Sequence, residues 1–240
     1  MRFFDYDSPL MSALTKVANL MILNLLTILC CIPVITAGAA LTAMHYMCLK
    51  MVRNEDGYII KGYFKAFKES FKQATKVWLV LLLVIAILVG DFLIINHSGI
   101  QFPYWFHVIF YAVSIIALFE IMMVFPIMGK FDNTTLRTIK NALIISVVKC
   151  PITILMIAMN AVPIIITLYF IQVFPFVLMF GWSAPAFFSA MLLNKYFMKL
   201  EDHIREAQGL NNPDAVEEED DGVEKIFNDQ LDEALAGKKD

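Results

Sequence analysis

The scarcest thing in this sequence is charge. Asp, Glu, Lys and Arg make up 17% of its 240 residues, where a soluble domain carries roughly 25%. From Val17 to Leu49 there is no Asp, Glu, Lys or Arg at all. Runs of that kind exclude an ordinary water-soluble domain and point to membrane spans. Open strands cannot satisfy their backbone in lipid, so the chain is read as all-α, a polytopic membrane helical bundle.

Other absences narrow the function. The four cysteines, Cys30, Cys31, Cys48 and Cys150, lie in or beside apolar runs and none forms a CxxC. That leaves no disulfide framework and no zinc site. His45, His97, His107 and His203 are scattered, with no carboxylate or cysteine at ligand spacing. There is no GxSxG, no P-loop and no HExxH. The acidic run Glu217 to Asp221 lacks the alternation of a calcium loop. No catalytic residue, cofactor site or metal site is expected, and the reading is non-enzymatic.

What is present is a set of spans. The first uncharged run holds 33 residues, which as one helix would reach about 50 Å against a hydrocarbon core of about 30 Å. Pro33, Thr36 and Gly38 break it into a hairpin, with helix one from Pro9 to Cys31 and helix two from Thr36 to Val52. Thr36 is read as a helix cap, Gly38 as a point of close backbone approach, and Ser8-Pro9 as the start of helix one. "VITAGAA" also resembles a signal-peptide cleavage site, but Asp5 and Asp7 spoil the leader that would precede it. Val77 to Asn96 is the third span and Tyr104 to Met128 the fourth. Two more fit in Ala142 to Phe197, turning near Phe170 to Pro175, with Pro151 and Pro163 kinking the fifth. The count is six spans, or five if the first run crosses once.

Basic residues are missing from 32–35, 97–103 and 168–175 and concentrated in the opposite connections. The positive-inside rule then places both termini in the cytoplasm. Net charge is −3, but residues 1–200 carry +7 and residues 201–240 carry −10. The chain therefore divides into a membrane domain, 1–200, and an acidic cytoplasmic tail, 201–240. The tail is read as partly disordered, with a short helix over 223–235 that could dock on a basic surface.

The stretch "GYFKAFKESFKQATKVW" interleaves two faces before span three. Phe64, Phe67 and Phe71 share one arc of a helical wheel; Lys61, Lys65, Lys68, Lys72 and Lys76 share another. This predicts a cytoplasmic amphipathic helix whose rings sit in the headgroups and whose lysines face water or anionic lipid. The bilayer is the expected partner of this surface; nucleic acid is not.

"IPVITAGAALTAM" (32–44), this basic segment and "TIKNALIISVVKCP" (138–151) together resemble the YesL-like family of bacterial membrane proteins. That family has no established activity, and its members are often encoded beside carbohydrate importers of the ABC type. The resemblance implies an association with sugar uptake and with importer subunits. It supplies no catalytic residues. The Glu-Ala-Ala loop with which importer permeases grip their ATPase is absent, so an accessory or assembly role is expected. A stand-alone small-solute transporter, with a path lined by Glu120, Lys149 and Asn160, is the alternative.

Polar residues inside spans are costly and tend to face the bundle interior. Asn19, Asn24 and Asn160 are read as interhelical hydrogen-bonders. Glu120 lies ten residues before Lys130, and Lys149 nine residues after Lys140. In an antiparallel hairpin both would sit about 14 Å from the same end, so the two are expected to face each other.

Overall fold

The computed structural model describes residues 9–55, 57–97, 103–132, 134–207 and 226–227. Their order is α1 (Pro9–Cys31), α2 (Ala37–Arg53), α3 (Ile59–His97), α4 (Tyr104–Lys130), α5 (Thr135–Val148), α6 (Cys150–Tyr169), α7 (Phe174–Phe180) and α8 (Ser183–Ala207). Two-residue strands β1 (Phe131–Asp132) and β2 (Ile226–Phe227) pair in parallel. The chain is thus helical as read. Ser8 and the stretch 209–222 lie outside the described residues. So does the predicted tail helix, except for the two residues of β2.

The hairpin over 9–53 is present. α1 stops before Pro33, and a 3-10 turn over Val34–Thr36 leads into α2. Thr36 does not cap α2 with its side chain. Its hydroxyl donates backwards instead, to the carbonyls of Cys30 and Pro33, which sit at an end of α1 that lacks intrahelical donors. The open end is closed by Lys16 Nζ on Asn54 Oδ1 at 2.7 Å. Asn54 itself adopts the left-handed conformation that ends many helices, with φ 57°.

α2 is the axis of the molecule. It packs against α1, α3, α4 and α8, and most of its residues are buried. Its small side chains Ala39, Ala40 and Ala43 are wholly buried, which lets the neighbouring helices approach closely. The tightest approach is at Gly38. A Cβ there would lie 2.5 Å from Trp78 Cβ and 2.7 Å from the Ala74 carbonyl oxygen. At the other end, Met47 Sδ would be 2.9 Å from a Cβ on Gly62. α3 therefore runs antiparallel to α2 along residues 62–78.

This arrangement corrects the span count. The lysine-bearing segment and span three are one continuous helix of 39 residues, about 58 Å long. The Trp78 indole N–H donates to the Val34 carbonyl at 2.7 Å, so residue 78 stands level with the α1–α2 turn. The five lysines of α3 lie beside α2, at its depth, with their side chains exposed. Five exposed ammonium groups do not sit in hydrocarbon. α2, with 17 residues, is a helix shielded by its neighbours and short for a crossing of its own.

Four helical stretches are long and apolar enough to cross a bilayer: Met11–Cys31, Ile59–His97, Tyr104–Lys130 and Cys150–Tyr169. The pair Ile171–Phe180 and Ser183–Asp202, bent by 51°, makes a fifth if taken as one. Six is not reached. Beyond Trp78, α3 exposes Leu79, Leu83, Ile87 and Phe92, and the facing half of α4 exposes Val108, Ile109, Ile115 and Leu118. These are lipid-facing surfaces.

The break between α7 and α8 is satisfied from α1. Asn24 Nδ2 donates to the Leu178 carbonyl at 2.7 Å. Its Oδ1 accepts from the backbone N–H of Trp182 at 3.0 Å and of Ser183 at 2.9 Å. One asparagine thereby partners three backbone groups left by the bend, as a non-helical stretch at membrane depth requires.

Gly38→Ala should lower the thermal midpoint of the detergent-solubilised protein, by an overpacking cost of about 1–3 kcal/mol. Gly90→Ala should leave it unchanged or raise it, because nothing lies within 4 Å of a Cβ at Gly90 and alanine is the better helix former. Equal effects at the two positions would contradict the packing described.

Candidate functional site

Two features at the closed end of the bundle carry charge into a defined geometry. The first is the lysine face of α3. Ile59, Tyr63, Ala66, Ser70, Ala74, Val77 and Leu81 form its buried stripe, spaced three and four residues apart as one helix face requires. Tyr63 is fully buried and Phe67 half-buried against the core. Phe64 and Phe71 remain exposed at 47% and 36%. The rings predicted to enter the headgroups are thus divided, some packed into the protein and some not. The residues missed in the sequence are Ala66, Ser70 and Ala74, whose small-residue spacing was the available signal. Lys61, Lys65, Lys68, Lys72 and Lys76 are all exposed, in a row about 22 Å long. Because the opposite face is clamped on α2, this row is fixed in orientation.

The second feature is an ion cluster that joins the C-terminal parts of three helices. Glu201 on α8 accepts from Arg53 Nη2 at 3.0 Å and Nη1 at 3.3 Å. Lys130 Nζ lies 2.7 Å from the same carboxylate. Arg53 Nε donates to Asn194 Oδ1 at 2.8 Å. Arg53 and Lys130 occupy the last turns of α2 and α4, where the helix dipole favours cations. Both charges are nearly buried, with side-chain exposures of 12% and 3%, so the carboxylate between them is required. Glu201 had been assigned to the acidic tail; α8 carries it into the body of the protein. Nothing in the local sequence marks a partner 148 positions away.

Glu120 and Lys149 are not brought together. Equal depth requires one unbroken helix through residue 149, but the chain breaks there. Lys149 has φ −105° and ψ 36° between α5 and α6, and Pro151 starts α6 rather than kinking a span. The Lys149 ammonium lies 4.7 Å from the Tyr196 ring centroid, a cation–π contact. Glu120 is buried on α4, and neither of its carboxylate oxygens has a hydrogen-bond partner. Pro163 does lie inside α6, with Thr167 Oγ1 donating to its carbonyl at 2.7 Å. Among the described residues no group of three His, Cys, Asp or Glu is placed to hold a metal ion.

Residues 20–92 match a family described as a protein of unknown function, DUF624. The match covers the second half of α1, all of α2, and α3 through the lysine face and most of its apolar half. No curated protein and no solved structure matches.

Glu201→Leu should cost roughly 3–5 kcal/mol, because two cations are left buried without their partner. Adding Arg53→Met and Lys130→Met should recover most of that loss in denaturation measurements. If the triple variant is less stable than Glu201→Leu alone, the cluster is not what holds the three helix ends.

Proposed function

We propose that this protein is a non-enzymatic membrane component that presents a fixed cationic helix face at the cytoplasmic surface, where it assembles with other proteins. The observation that carries this reading is the clamping of α3 on α2. Its lysines form a rigid row because the opposite face is packed through Gly38, Gly62, Ala66 and Ala74. A rigid row of like charges is preorganised for an acidic partner and loses little entropy on binding. The orientation with this end inside follows from the distribution of basic residues, all concentrated on the connections at this end.

The resemblance to the YesL-like family, of which the segment 32–44 and the lysine helix are the main carriers, points to subunits of a carbohydrate ABC importer as the partner. The membrane location is that of a bacterial cytoplasmic membrane. A transporter working alone would use a polar path through the bundle. Of its three candidate residues, Glu120 and Lys149 are not brought together and Lys149 is turned onto Tyr196, which favours the accessory role.

The test is affinity purification in mild detergent. The wild type should bring down importer subunits, and a Lys65→Glu, Lys68→Glu, Lys72→Glu variant should lose them while keeping its thermal midpoint, since the three side chains are exposed. Retention by the reversed-charge variant, or capture of no importer subunit by the wild type, would overturn the reading.

A further inference from the structure

A cavity of about 380 Å³ lies where the α1–α2 turn meets α3, α4, α6 and α8. Its size is that of small-molecule sites, which are mostly apolar with a few convergent polar groups. Three aromatic side chains line it: Trp78, Phe125 and Trp182. Trp78 and Phe125 pack with ring centroids 6.0 Å apart, and the Trp78 N–H is engaged on Val34, so Trp78 offers the cavity only its apolar surface. The lining side chains that carry polar atoms are Cys31, His45, Asn160 and Trp182. Asn160 is anchored by its Nδ2 on the Met156 carbonyl at 2.8 Å, which leaves Oδ1 as an acceptor. No Asp, Glu, Lys or Arg lines the wall.

We propose that this cavity binds an uncharged, lipid-soluble molecule with a ring body and one or two hydrogen-bonding atoms. The absence of a counter-charge in the wall rejects an ion, whose desolvation nothing would offset. The small number of polar groups rejects a free hexose, most of whose hydroxyls would be buried without partners. The Trp78 and Phe125 rings, tilted 53° to each other, offer apolar faces against which a flat ring can pack. A carbonyl or hydroxyl on such a ring matches His45 and Asn160, which supply both a donor and an acceptor. Met44, Met122 and Met156 in the wall adapt to the outline of a ligand. Access is from the lipid: Val34 and Ile35 at the turn are 60% and 57% exposed, giving an apolar rim. The proposal is independent of the lysine face and of any importer.

The test uses the full chain in nanodiscs of neutral phospholipid, with Trp105→Phe so that the two cavity tryptophans report. The probe is a decyl-substituted benzoquinone, which quenches indole fluorescence and carries ring carbonyls. Saturable quenching at one probe per chain is expected, weakened tenfold or more by Asn160→Leu and by His45→Leu, and abolished by Ala186→Phe, which fills the cavity. Quenching that rises without saturation in the parent protein, or that saturates identically in the Asn160 and His45 variants, would mean partitioning into lipid and overturn the proposal. Saturable displacement of the probe by glucose would overturn the ligand class.

Discussion

The contact on which the rest depends is the one between α2 and the first half of α3. Gly38 lets the Trp78 side chain and the Ala74 carbonyl come within a distance that any Cβ would forbid. That approach sets residue 78 level with the α1–α2 turn, which in turn fixes where the lysines stand and where the apolar half of α3 begins. Small residues at the crossing let the two backbones come close enough for dense van der Waals contact. A single added methyl group at the crossing therefore acts on the whole arrangement and not on one side chain.

The helical class, the hairpin at Pro33 and the close approach at Gly38 were legible because local chemistry decides them. A proline, a backward-bonding threonine and a glycine act within a few residues of themselves. The lysine face was legible for the same reason. What was not legible was the partner of the opposite face. Phe64, Phe67 and Phe71 suggested a membrane surface, whereas Tyr63, Ala66, Ser70 and Ala74 carry the packing. Hydrophobicity marks rings more strongly than alanines, but alanine is what a close helix crossing needs. The six-span count is not reached at α2 for a related reason. An uncharged sequence is equally suited to lipid and to the centre of a bundle, and only the depth of its neighbours distinguishes the two.

Polar residues inside the bundle show a consistent division of labour. Asn24 supplies the backbone groups exposed by the bend between α7 and α8. Glu201 gathers Arg53 and Lys130 at the closed end. Lys149 rests on an aromatic ring. The expected meeting of Glu120 with Lys149 failed because helical rise was counted across a break. A proline that begins a new helix and one that kinks an old one look alike in sequence. The acidic segment 201–240 marked a change of composition, yet α8 continues from Ser183 to Ala207, since glutamate is a good helix former. The buried ion cluster forms where the ends of α2 and α4 converge on α8.

The central claim is that the lysine segment is packed along α2 and does not lie separately on the membrane surface. Disulfide trapping in native membranes tests it most directly. In a chain whose own cysteines are replaced by serine, Met47→Cys with Gly62→Cys should cross-link rapidly under mild oxidation, since Met47 Sδ stands 2.9 Å from a Cβ on Gly62. Met47→Cys with Phe64→Cys should not, because Phe64 is on the exposed side. Rapid cross-linking of both pairs, or of neither, would contradict the account.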